Sequence, residues 1–502
     1  MRASAAAAVV CLGAVTWTPA PAQDWTTGGY DAQRSSWVRA EGKISAASLR
    51  KPGFQLVWKL TLADESTAAR VVMPPVLLDL MIGYRGFRAL GFVAAAPDRV
   101  VAIDTDLGRV EWERRLGTGA PPAGGSPACA RAMTPSVARS TNAALPTLSG
   151  GAGGASRGAQ PARGAVGEPG EGAVTLAPPL VARRPEAPAP APAPPRPPAP
   201  RPTPRPFPIV YVLPSDGMLH TLNVMNGSDA EPPVLFLPPH ANARGLIVVD
   251  TLAYVATSRG CGAAPNAVWA LDLGTHQVTR WPGRVAGAHG PAIGPDGAIY
   301  VTTSDGQLVV LEPRTLKPRT TYRSGGPAFS SSPVIFDRGG RLLIAASSRD
   351  GRIRLLDSRR TTFVTTPLSS QTAADALASW ADTDDTHWLV ASAGSRGSAL
   401  AAWKVIQQDS VPRLDPGWVS RHMPASLAPA VVNDVIFALS RGAPSSSAVV
   451  LHALDGATGN ELWNSGATIA PVAHAGLSAG GSQVYVATGD GRLYAFGFPM
   501  EH

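Results

Sequence analysis

The chain has 502 residues, of which only 16% are charged, with 52 glycines, 49 prolines and a formal net charge of +8. Charged residues usually approach about 25%, and no long stretch carries helical periodicity, so helical bundles and coiled coils are excluded in favour of short strands and tight turns. Nucleic-acid binding is not expected. Between Arg139 and Pro208 lie eight arginines and three glutamates, so 8 − 3 = 5 of the positive charges sit in one low-complexity stretch, and no basic stripe interleaved with aromatics is found elsewhere.

Residues 1–22 read as an export signal. Arg2 supplies the positive charge, the apolar run from Ala3 to Val15 is too short to span a bilayer, and Ala20-Pro21-Ala22 offers a small-x-small cleavage site. Cys11 lies in that run without a lipoprotein context. No other segment approaches about 18 uninterrupted apolar residues, so no transmembrane segment is expected after cleavage. The expectation is a monomeric exported protein, periplasmic or secreted. The mature chain keeps Cys129 and Cys261, too few for a disulfide framework or a four-cysteine zinc site.

Residues 23–139 begin a repeat fold that resumes at 208–499. Between them, 140–207 form a Gly/Ser/Ala stretch followed by EAPAPAPAPPRPPAPRPTPRPFP. The first half lacks apolar side chains to offset the entropy of ordering, and the second favours polyproline II, so a disordered insert is expected. Outside it, a pattern recurs every 40–50 residues or so, the spacing of propeller blades. Its closest copies place Asp-Gly between two apolar strands, at Asp216-Gly217, Asp305-Gly306, Asp350-Gly351 and Asp490-Gly491, and read as two-residue hairpin turns. Short innermost strands follow Pro75, Pro135, Pro291, Pro333 and Pro429.

Eight repeats can be counted, centred on 73–116, 133–236, 243–282, 288–325, 329–368, 376–421, 426–466 and 473–499. The repeat at 376–421 is the most degenerate, which keeps seven blades as the alternative. The last repeat lacks its outer strand, whereas Phe54 to Leu60 precedes the first and is unpaired. Joining the two closes the ring and removes a free sheet edge. The fold class is therefore all-β, a single propeller of four-stranded blades closed by an N-terminal strand. Chain order places Cys129 and Cys261 on the same face in adjacent blades, where a disulfide can form; two separate thiols are the alternative.

The segments VVAIDTDLGRVEWERRL and HALDGATGNELWNSG resemble the quinoprotein (PQQ-type) repeat, in which Ala-x-Asp-x-x-Thr-Gly precedes a tryptophan. The matching residues are Asp104, Gly108 and Trp112, then Asp455, Thr458, Gly459 and Trp463, with a weaker copy at Asp272 and Trp281. In that family the tryptophan docks on the glycine turn of a neighbouring blade, which implies blade-docking roles for Trp112, Trp281, Trp463, Gly108 and Gly459. Trp25, Gly29, Asp31 and Arg34 are similar to the Trp-x-x-x-Gly-x-Asp-x-x-Arg segment opening quinoprotein dehydrogenases and their non-enzymatic relatives.

The dehydrogenases imply pyrroloquinoline quinone (PQQ), bound calcium and, in many members, a disulfide between adjacent cysteines. This chain has no adjacent cysteine pair, and the calcium ligands cannot be placed on it residue by residue. The acidic run Asp382 to His387 lacks the glycine and distal glutamate of a calcium loop. Ser330-Ser331-Ser332 has no nucleophile elbow, and the nine histidines show no ligand spacing. No catalytic residue, metal site or cofactor is therefore assigned. The favoured expectation is a BamB-like propeller that binds a protein partner, the alternative a PQQ-dependent dehydrogenase acting on alcohols or sugars.

Overall fold

A computed structural model describes residues 24–62, 72–83, 86–117, 129, 136–145, 208–366, 373–393, 399–421, 423, 427–441, 448–470 and 475–499. The signal segment 1–22 and nearly all of the insert lie outside the described residues. The chain divides into two units, Met1–Leu148 with Phe207–His502, and Ser149–Pro206. The first is a propeller ring of eight antiparallel blades.

Blade 1 runs outward through Val76–Gly83, Gly86–Ala95, Arg99–Asp104 and Arg109–Arg115. Blade 2 starts with Ser136–Ala138 and continues at Ile209–Leu213. Blades 3 to 7 begin at Asn242–Val249, Ala292–Ile293, Val334–Arg338, Leu377–Ala381 and Ala430–Val432. Two blades gain a fifth, parallel strand on the channel side: Ser140–Thr141 on blade 3, and Trp37–Val38 on blade 7. Blade 8 has three strands of its own, Ala475–Gly480, Gln483–Thr488 and Arg492–Gly497. Gln55–Thr61 supplies the fourth, with Trp58 opposite Ala495 and Lys59 opposite Tyr494. The ring is thus closed by the N-terminal strand, and the blade at 376–421 is complete, so the count is eight.

Middle strands such as Gln483–Thr488 and His387–Ala393 are buried at every position. Each blade packs both faces against neighbours, so these strands read as continuous apolar runs rather than alternating ones. Outer strands such as Val278–Pro282 alternate between exposed and half-buried. Every step within a blade is antiparallel, so links between blades and turns between second and third strands lie on one face, the first. Turns after the first and third strands lie on the opposite, second face.

The Asp-Gly turns differ in detail from the two-residue expectation. Gly217, Gly306, Gly351 and Gly491 donate their N–H to Pro214, Thr303, Ser348 and Thr488, three residues back, and only the glycine has positive φ (74 to 87°). Each is a four-residue turn ending in a left-handed glycine, the geometry of a slightly longer hairpin loop. Asp216 Oδ1 and Asp350 Oδ1 accept the next N–H after the glycine, so these side chains stabilise turns.

Candidate functional site in the central channel

Residues 25–41 make one circuit of the ring, touching each blade in order. Trp25 O accepts from Leu77 N at 2.8 Å, Thr26 O from Arg139 N at 2.8 Å, and Thr27 Oγ1 donates to Leu246 O at 2.6 Å. Ala32, Gln33, Ser35 and Ser36 carbonyls then accept from Ile293, Ile335, Ser379 and Val431 of blades 4 to 7 at 2.8 to 3.0 Å. Glu41 completes the tour on blade 8, accepting from Ser482 N at 3.0 Å and Oγ at 2.7 Å. Innermost strands present unpaired backbone groups to the channel, and this segment satisfies them.

The side chains of the segment hold it in place. Arg34 is 0% exposed. Its guanidinium donates to Pro291 O (2.9 Å), Thr27 Oγ1 (2.9 Å), Gly28 O (2.5 Å) and Gly245 O (2.9 Å). All four acceptors are uncharged, and burial lowers the arginine pKa to about 9. Asp31 accepts from Ser35 N (2.9 Å) and Oγ (2.7 Å) and pairs with Arg39 at 3.4 Å. Arg139 pairs with Asp24 and donates to Leu77 O at 2.9 Å. Gly29 has φ +79°, and a Cβ there would lie 2.9 Å from His289 Nδ1. Asp79 faces Glu41, Asp24 and Asp106; burial first, then those charges, push its carboxyl up to about 6.

Among solved structures, a quinohemoprotein alcohol dehydrogenase from Comamonas testosteroni is 14% identical, with a TM-score of 0.56 over 96% of this chain and 82% of that one. A second, from Pseudomonas putida, is 11% identical (TM-score 0.54, 96% and 81% covered), and a europium-containing methanol dehydrogenase is 11% identical (TM-score 0.50, 95% and 98% covered). At such identities the likeness is one of fold. The fold is that of the PQQ-type propellers. No protein-family profile matches the chain, and no curated protein does.

In this propeller the turn between third and fourth strands repeats with one geometry. Gly108, Gly227, His276, Leu316 and Gly459 sit at φ +52 to +71°, and each donates its N–H to the carbonyl four residues back. Asp104, Asp272 and Asp455 cap their turns by accepting two backbone N–H groups each. Trp112 lies over Gly227 of blade 2 and donates its indole N–H to Val224 O at 2.9 Å. Gly108 receives Trp58 of the closing strand, which donates to Thr105 O at 2.8 Å, and Gly459 receives Trp418, which donates to Gly456 O at 2.7 Å. Trp281 packs against the apolar cluster of blades 3 and 4 that includes Leu316. Trp463 stacks edge-on against Phe54 at 4.8 Å and against Phe496 at 5.7 Å. Trp58 and Trp418 escape the sequence pattern because neither follows an Ala-x-Asp signature; a tryptophan on an outer strand was the available signal.

Cys129 and Cys261 are joined by a disulfide with a Cα–Cα distance of 5.5 Å, tying the link before blade 2 to the hairpin of blade 3. In the acidic run, Asp382 Oδ1 accepts from Asp384 N and Thr386 N, and Oδ2 from the Trp388 indole, so Asp382 organises a turn. Among the described residues, no three His, Cys, Asp or Glu side chains are grouped to hold a metal ion. Ser440 Oγ, His452 and Glu461 form a chain of 2.8 and 2.5 Å across blade 7. Ser440 is 4% exposed in mid-sheet, which gives an acyl group no approach.

Two histidines have depressed pKa values, and one of them lies against the channel segment. His289 lies beside Gly29 and Arg34, and its pKa falls to about 4 through burial and then the Arg34 charge. His387 stacks on Phe336 at 4.1 Å and shares a 2.7 Å hydrogen bond with Ser379 Oγ; burial, then Arg338 and Arg39, lower it to about 3. Unfolded histidine titrates at about 6.5, so below that pH the unfolded chain binds more protons and stability falls, by up to ~1.4 kcal/mol per pH unit for each histidine. Asp79 acts in the opposite sense between pH 6 and its unfolded value. The urea midpoint should fall less steeply from pH 6.5 to 4.5 in His289→Gln/His387→Gln than in the parent. Equal slopes would sink the assignment.

Proposed function

We propose that this PQQ-type propeller is an exported, non-catalytic module that binds a protein partner in the cell envelope. The observation that carries this reading is the commitment of the channel's polar groups to the chain's own N-terminal segment. PQQ is a flat tricarboxylate and needs cations that face it, whereas Arg34, Arg39 and Arg139 are engaged by carbonyls or by Asp31 and Asp24. The described channel residues therefore fit that cofactor poorly, and no step is derived through it. The lack of an adjacent cysteine pair points the same way. What remains for recognition is the loop-rich rim, and propeller loops suit extended segments of other chains.

The test has two arms. Mature protein titrated with PQQ and Ca²⁺ should show no saturable change in quinone absorbance and no dye-linked oxidation of alcohols or aldoses; stoichiometric uptake with turnover would overturn the proposal. Photo-crosslinking residues placed in first-face loops should give one discrete adduct in the envelope fraction, whereas placement on outer strands should not.

A further inference from the structure

We propose that the first-face loops of blades 3 to 5 form a cationic docking surface for an acidic, extended segment of a partner protein. This rests on the binding-module reading and gives it a location. The hairpin of blade 3, the links into blades 4 and 5, the hairpins of blades 4 and 5, and the last residue of the blade 4 outer strand together carry Arg259, Arg284, Arg323, Arg349 and Arg352 against two carboxylates, Asp305 and Asp350. Asp350 is turned inward: it pairs with the buried Arg354 at 2.9 Å and accepts from Ser348 Oγ at 2.5 Å. Arg284, Arg323 and Arg349 are exposed and Arg352 half-buried. Among the described residues these four arginines make no ion pair.

Backbone hydrogen bonds bring the loops together. Ser304 N of the blade 4 hairpin donates to Arg284 O at 2.8 Å, and Arg349 N of the blade 5 hairpin donates to Ala328 O at 2.8 Å. Gln307, next to the blade 4 turn, pairs with Arg323. Elsewhere on this face, among the described residues, arginines without an ion pair stand singly, as Arg115 in blade 1 and Arg421 after blade 6 do, and others are matched. Arg492 pairs with Asp490 at 2.6 Å in blade 8, and Arg99 with Glu113 at 2.6 Å in blade 1. Among the described residues, four cations without an ion pair, Arg284, Arg323, Arg349 and Arg352, come together only around these blades.

Two further observations favour an acidic polypeptide over a membrane surface. The exposed bulky apolar residues among the described ones are Met73, Leu107, Val110, Met225, Leu235, Val278 and Val419, and none lies in these loops. A surface that enters lipid headgroups pairs cations with such side chains. Around Gly325 there is open space, so main-chain groups stay accessible to an extended segment. Clustered cations on a rim act by steering an anionic partner and fixing its register.

The experiment uses the full mature protein and a fluorescein-labelled twelve-residue Glu/Ser peptide, read by anisotropy at low and physiological salt. Saturable binding that weakens with salt is expected, with about tenfold loss in Arg349→Glu/Arg352→Glu and none in Arg413→Glu, an exposed outer-strand control. No peptide binding, binding insensitive to the reversal, or binding only to phosphatidylglycerol vesicles would each overturn the proposal. The envelope photo-crosslink separates the two readings. An adduct retained at full yield in Arg349→Glu/Arg352→Glu removes this surface but leaves the binding module standing; loss of all adducts in the parent removes the module itself.

Discussion

Replacing Arg34 by alanine is expected to destabilise the folded chain by about 3–5 kcal/mol. The guanidinium joins the N-terminal segment to blades 3 and 4 through four uncharged acceptors and is 0% exposed. Removing the charge recovers part of its desolvation cost. Against that, four acceptors already aimed at the guanidinium lose their donor, at about 1–3 kcal/mol each where water cannot replace it, and an arginine-sized cavity opens. The second effect is the larger. Arg34→Lys should restore only a fraction, because an ammonium cannot reproduce a planar fork spread over three chain segments. Equilibrium urea unfolding measures both variants; a loss below about 1 kcal/mol for alanine would show that the circuit of residues 25–41 does not depend on this anchor.

Gly108→Val is the second large effect, at about 3 kcal/mol or more. Gly108 has φ +62°, a conformation that a β-branched residue adopts only with strain, and a Cβ would stand 2.4 Å from Trp58 Cγ. The indole must then leave, losing its hydrogen bond to Thr105 O and its seat on blade 1. Because Trp58 lies on the strand that completes blade 8, the damage falls on ring closure. The expected readout is a lowered melting temperature together with early proteolytic release of the N-terminal segment. Gly274→Ala is the matched control: its φ is not left-handed and its nearest neighbour would be Asp272 Oδ1 at 3.4 Å. Equal behaviour of the two variants would refute the closure argument.

The two cases mark how far the chain could be read. The third-to-fourth-strand turns were visible as Asp-x-x-x-Gly before a tryptophan, because a left-handed residue and an aspartate cap are local demands that residue type records. The partner of each indole was not visible. Trp463 carries the full signature yet meets Phe54 and Phe496, whereas Trp58 carries none and docks on Gly108. Likewise Arg34 was legible as part of a family-like opening, but not as an arginine held by carbonyls from residues 28 to 291.

By itself, the amino-acid sequence determined the repeat, the all-β class, the closing strand and the low-complexity insert, since all follow from periodicity, turn chemistry and composition along the chain. Tertiary structure alone decided which side chains share the channel. That includes the circuit of residues 25–41 over eight blades, which joins groups as far apart as Glu41 and Ser482, and the place of His289 beside Gly29 and Arg34. On the rim, the same closure gathers Arg284, Arg323, Arg349 and Arg352. Burial and charge balance of this kind exist only once the ring has closed, and no local pattern can encode them.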